Sequence, residues 1–290
     1  MDGDRRFAPT LILQKSDFAK KMVILLADGD SRKLMNSKRK LPFCTVFGLA
    51  VLYLSVCKSS LSQSAPVSVA TSRDGRFKYE IFGKDDPGKP LLILLHGASG
   101  PSVGFYREQA EYFSSNGYTV FLPHYFDATK SSDPTMDNYH AWVNVVKTLL
   151  SEQRAPTGSA HRKSVLVGYS LGASVAVAAG SEEVPVDAIA EWYGSLPDDF
   201  FYHLQGMPPL LILHGERDYN IPVENAQQLI KLCGIKQFQC ESHIYPDQGH
   251  GFSGAALKDA DSRTLSFFSR SVQREEAQND NGKSRKMQNR

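Results

Sequence analysis

Cysteine is scarce in this chain, neither sign of charge is in surplus, and no internal repeat is present. Only four cysteines occur in 290 residues, and 33 Lys and Arg stand against 31 Asp and Glu. A net charge of +2 offers no field to hold a polyanion, which argues against nucleic acid as a partner. Cys44 and Cys57 lie in an N-terminal segment with the marks of a removable leader, so Cys233 and Cys240 are the pair that would remain. In an oxidising compartment these two could form a disulfide between a helix end and the next strand; two buried free thiols is the other reading. A zinc site from Cys233, Cys240 and His243 lacks a fourth ligand at the usual spacing, so no metal and no cofactor is expected.

Long apolar runs are also rare. The most membrane-like stretch, Leu41 to Cys57, carries no charge and follows Lys38, Arg39 and Lys40 directly. Seventeen residues sit at the lower edge of what spans a bilayer, whereas a basic start, an apolar middle and the polar SSLSQSA that follows describe a secretory signal. Met35 opens MNSKRK immediately before the run, as a start codon would, which leaves residues 1–34 as an extension. An uncleaved signal anchor, a lipid-modified Cys57 and a buried helix are the alternatives. Without residues 1–62 the remainder holds 22 basic and 26 acidic side chains and is mildly acidic. The expected product is secreted or periplasmic, touching a membrane only through residues 41–57 if these are retained.

What is present from about Ser68 onward is an alternation of short β-rich runs with helical patterns, the signature of a mostly parallel sheet covered by helices on both faces. Expected strands fall at residues 76–83, 90–97, 118–126, 164–170, 188–194, 209–215 and 238–246. Several are continuously apolar, as strands buried on both faces should be. Helix patterns fill residues 103–115, 136–153, 171–181, 221–233 and 254–272; in the fourth, Asn220 is placed as cap and Gly234 as terminator. The expected domain is 63–272, and the polar residues 273–290 read as a disordered tail.

Gly168-Tyr169-Ser170-Leu171-Gly172 matches G-x-S-x-G at the end of an expected strand and the start of a helix. By composition the pentapeptide arises by chance about one time in ten in a chain this long, so its position matters more than its letters. A sharp strand-to-helix turn would lift the Ser170 hydroxyl above the sheet and aim the Leu171 amide at a developing oxyanion. His96-Gly97-Ala98-Ser99-Gly100 follows the strand PLLILLHG and supplies a second donor, the Ala98 amide. A serine hydroxyl needs a base, and His250, flanked by Gly249 and Gly251 after the last strand, is the best placed of eight histidines. Asp218, on the loop after LILHGER, is the carboxylate that would orient it, with Glu216, Asp198 and Asp199 as competitors.

HGASG, GYSLG, HGERDYNIPVENAQQL and IYPDQGHGF together resemble the dienelactone hydrolase family of α/β-hydrolases, over about residues 75–272. The resemblance implies the α/β-hydrolase fold, with the family's Asp and His carried onto Asp218 and His250. Dienelactone-cleaving members have a cysteine where this chain has Ser170, and an acidic residue in the loop where it has HGASG. They also hold the substrate carboxylate with arginines, one of them shortly after the catalytic histidine, whereas here Gly251, Phe252, Ser253 and Gly254 follow His250 and no arginine comes before Arg263. A small-molecule carboxylic ester is the expected substrate, an amide or peptide the runner-up, and a silent binding module the reading outside catalysis. No large cap is inserted, since only residues 195–208 separate the strands where caps usually sit. Tyr125, Phe126, Tyr169 and Phe201 are the expected pocket residues.

Overall fold

Buried on both faces, the continuous apolar runs form the middle of an eight-stranded sheet. The computed structural model describes residues 67–153, 162–202 and 204–288, all within the unit Ser62–Arg290. The apolar run 41–57, Cys57 and the whole 1–62 extension lie outside the described residues. The strands are β1 (Ser68–Thr71), β2 (Lys78–Phe82), β3 (Leu91–Leu95), β4 (Thr119–Pro123), β5 (Ser164–Tyr169), β6 (Ala188–Trp192), β7 (Leu210–Gly215) and β8 (Cys240–Tyr245). Their spatial order is β1-β2-β4-β3-β5-β6-β7-β8, antiparallel from β1 to β4 and parallel from β4 to β8. Every residue of β3 to β7 is buried, which is why these strands lack polar alternation.

Period-two geometry divides each run between two cores. Leu91, Ile93 and Leu95 face one layer, built with helices α2 (Met136–Glu152), α3 (Leu171–Ser181) and α5 (Glu224–Lys236). Leu92 and Leu94 face the other, formed with α1 (Gly104–Ser115) and the first part of α6 (Gly254–Gln288). A short α4 (Asp198–Tyr202) occupies the stretch between β6 and β7, and no large cap is present among the described residues. Sheet and helices together make the α/β-hydrolase fold. Because β3 and β5 to β8 are parallel, the loops after all of them open on one edge of the sheet, and HGASG, Ser170, Asp218 and His250 all sit there.

Three boundaries differ from expectation. Helix α5 begins at Glu224, not Ile221, because residues 220 and 221 are held in a turn by Asp218 Oδ1, which accepts from both their amides at 2.9 Å. It also runs through Gly234 and ends at Gln237, whose φ of 58° makes the left-handed turn expected of the glycine. Helix α6 continues past Val272 to Gln288, so the segment read as a disordered tail is helical through residue 288. Gln273, Arg274, Glu275, Glu276 and Ala277 all have good helix propensity, and the absence of an apolar stripe does not by itself break a helix already nucleated upstream.

Candidate active site

The G-x-S-x-G turn is dictated by close backbone contact. A Cβ on Gly168 would overlap the Gly172 carbonyl, and one on Gly172 would overlap the Leu95 and His96 carbonyls. Between them Ser170 has φ 55° and ψ −121°, a region L-residues rarely occupy, fixed by its amide donating to Trp192 O at 3.0 Å. Its carbonyl accepts from the Ala173 and Ser174 amides at 2.9 and 3.2 Å and so starts α3. As the first residue of that helix, Leu171 has an amide with no intrahelical acceptor. Ala98 is exposed in the loop after β3 and lines the same cavity as Ser170, whereas Leu171, the residue that follows the serine, is buried.

The three polar side chains meet. Ser170 Oγ lies 2.8 Å from His250 Nε2, and His250 Nδ1 lies 2.8 Å from Asp218 Oδ2. A carboxylate only accepts, so Nδ1 carries the proton donated to Asp218 and Nε2 is left to accept from the serine hydroxyl. Asp218 has a fully buried side chain, with Oδ1 satisfied by the Asn220 and Ile221 amides. His214 Nε2 adds a contact at 3.4 Å to Asp218 Oδ2 while donating to Ile221 O at 2.9 Å. Burial lowers the His214 pKa, which keeps this imidazole a neutral buttress. His96 is likewise neutral: burial pushes its pKa down to about 4, and its Nδ1 contacts Gly97 O at 2.8 Å.

A cavity of about 420 Å³ opens at the serine, lined by Gly97, Ala98, Ser99, Tyr106, Ser170, Tyr193, Asn220, Ile221 and His250. None of the four expected wall aromatics is among them. Tyr125 is buried behind the loop, its ring stacked 4.2 Å from His96 and its hydroxyl donating to His96 O at 2.6 Å. Tyr169 precedes the serine on a strand and so faces the opposite core, where its hydroxyl donates to Gln109 Oε1 at 2.8 Å. Phe126 is half-buried against His96 and Trp142, and Phe201 is exposed on α4 beside Tyr202.

The walls sequence reasoning missed are Tyr193, Tyr106, Asn220 and Ile221. Tyr193 directly follows β6, Asn220 and Ile221 closely follow Asp218, and Tyr106 sits in the first turn of the helix after HGASG; that nearness is the signal that could have found them. Tyr193 follows β6 at φ 47°, its ring 5.1 Å from that of His250, and the Gly194 amide after it donates to Glu191 Oε2 at 2.8 Å. Cys233 and Cys240 are joined as a disulfide. Among the described residues no cluster of three or more His, Cys, Asp or Glu could hold a metal, and no helix is long and apolar enough to cross a membrane.

Comparisons with known proteins agree with this architecture. The family model "Dienelactone hydrolase family" matches residues 77–281. A Yersinia pestis protein named "Putative carboxymethylenebutenolidase" is 25% identical over 105 residues, 33% of this chain and 39% of that one, so the match spans well under half of the relative. A dienelactone hydrolase-like promiscuous phosphotriesterase from metagenomic libraries superposes with a TM-score of 0.60 at 15% identity, over 71% of this chain and 98% of that one. Esterase 2 of Thermogutta terrifontis, solved phosphonylated by cyclosarin, gives 0.57 at 18%, over 71% and 94%. At such identities the structural likeness speaks for the fold alone, and it is the family match across most of the α/β domain that decides: the chain belongs to the dienelactone hydrolase family and is a hydrolase.

Proposed function

We infer that this hydrolase cleaves carboxylic esters of small molecules through an acyl-enzyme on Ser170. The observation that carries the reading is the unbroken relay of 2.8 Å from Ser170 Oγ to His250 Nε2 and 2.8 Å from His250 Nδ1 to Asp218 Oδ2. As Oγ attacks the ester carbonyl carbon, its proton passes to Nε2, and the buried Asp218 carboxylate stabilises the imidazolium. The carbonyl oxygen becomes an oxyanion facing the Ala98 and Leu171 amides; one such donor is commonly worth 10²–10³ in kcat. Collapse expels the alkoxide, which takes the proton from Nε2. Water, deprotonated by His250, then attacks the acyl carbon and releases the carboxylic acid with Ser170 restored.

Esters are favoured over amides because the cavity is small and uncapped, with no buried charge to anchor a peptide terminus. Among the described residues that line the cavity there is no arginine to hold a substrate carboxylate. A fluorophosphonate should label the protein and fail to label Ser170→Ala, and short acyl esters should turn over where aminoacyl amides do not. Absence of labelling in the unmodified protein would sink the acyl-enzyme reading, and turnover of amides alone would replace esterase with amidase.

A further inference from the structure

We propose that the Tyr106 hydroxyl is a third donor to the oxyanion, acting beside the Ala98 and Leu171 amides. The inference rests on Ser170 being the nucleophile. Tyr106 lines the cavity with Ser170, Ala98 and His250, although its residue is only 8% exposed. A Cβ built on Gly97 would lie 2.7 Å from the Tyr106 hydroxyl oxygen and 3.3 Å from Ser170 Cβ, so the phenol and the nucleophile flank the same point. Among the described residues no acceptor takes the Tyr106 hydroxyl proton, which is left to be given to something in the cavity.

The position is rigid. Arg107, the next residue, donates from Nε and Nη2 to the two Glu80 carboxylate oxygens at 2.9 Å each, pinning the first turn of α1 to β2. The Tyr106 ring is held between those of His96 and Tyr169, with centroids at 6.1 and 5.9 Å. A donor fixed before the reaction stabilises developing charge without reorganising. Burial also raises the phenol pKa above its ordinary value of 10.0, so the proton stays on the oxygen through the working pH range.

The test uses Tyr106→Phe, which keeps the ring and removes the donor. Its kcat on a short acyl ester should fall roughly 10- to 100-fold with KM changed less than about threefold, and the rate of fluorophosphonate labelling should fall in parallel. The loss should be the same for good and poor leaving groups, because the oxyanion is common to both. Replacing Tyr106 by 3,5-difluorotyrosine keeps the shape and makes the phenol more acidic, so a new fall in kcat should enter on the alkaline side. A merely structural tyrosine predicts no such limb. Wild-type labelling with Tyr106→Phe kinetics unchanged, or a loss confined to poor leaving groups, overturns the role of Tyr106 and leaves Ser170 standing; failure of the wild type to label removes the nucleophile itself.

Discussion

Glu191 carries a cost that the site turns to use. On β6 and fully buried, it accepts the Gly194 amide on Oε2, while Oε1 has no hydrogen-bond partner. Burial therefore raises its pKa from 4.5 to about 8, and at neutral pH it is mainly a carboxylic acid. The return is conformational: the bond to Gly194 helps to hold Tyr193 at its positive φ with the ring against His250. The linkage sign follows from the two states. Below 4.5 folded and unfolded chains both hold the proton; between 4.5 and about 8 only the folded chain does, so stability is lost as pH rises through that window. Glu191→Gln has nothing to ionise. Relative to wild type it should gain on the order of a few kcal/mol between about pH 4 and pH 9, read as the change in urea midpoint across pH. A constant difference across that range would show that the carboxyl is not neutral in the folded protein. Nothing in the sequence announced this, since AEWYG reads as an apolar strand end and the acidity of its glutamate depends on which layer covers it.

Glycines at the element scale separate contact from propensity. Gly172 abuts the carbonyls of Leu95 and His96, which belong to the backbone and cannot rotate aside. Gly172→Ala should therefore cost about 3 kcal/mol or more, together with activity, because β3 and its HGASG loop must move. Gly234 is the opposite case: it lies inside α5 with open space around its Cα, so Gly234→Ala should stabilise by about 0.5–1 kcal/mol through helix propensity alone. Urea titration of both variants checks the contrast, and a neutral Gly172→Ala would mean that the elbow is not as tight as its geometry. The same two residues mark what was legible. GYSLG could be placed because strand, turn and helix all constrain it. The end of α5 could not, because Gly234 looks like a terminator until Gln237 takes the left-handed turn two residues beyond Ile235. Strand β1 escaped for a related reason: three of the four residues in SVAT are exposed, so no burial pattern records its pairing with β2.

Across the whole molecule, the meeting of Ser170, Asp218 and His250 was readable in chain order because parallel strands deliver their carboxyl ends to one edge. The walls were not. Whether an aromatic faces the cavity or the core turns on a single residue of register, and Tyr169 and Ser170, adjacent in sequence, part company at that step. The disulfide belongs to this scale too, for it ties α5 to β8, which among the described residues is an edge strand beside β7. Cys233 and Cys240 are seven positions apart, and closing so short a loop restrains the unfolded chain by about 2.5 kcal/mol in the chain-entropy account. For a domain of this size that corresponds to about 5 to 10 °C in thermal midpoint. Reductant should lower the wild-type midpoint by that amount, and a Cys233→Ala, Cys240→Ala double variant should start at the lower value and ignore reductant. Cys240 opens β8 beside Leu210, at the end of the sheet remote from Ser170, so ester turnover at 25 °C should be the same with the bond open or closed. A turnover that fell with the midpoint would mean that β8, through the loop it leads into, needs the disulfide to present His250.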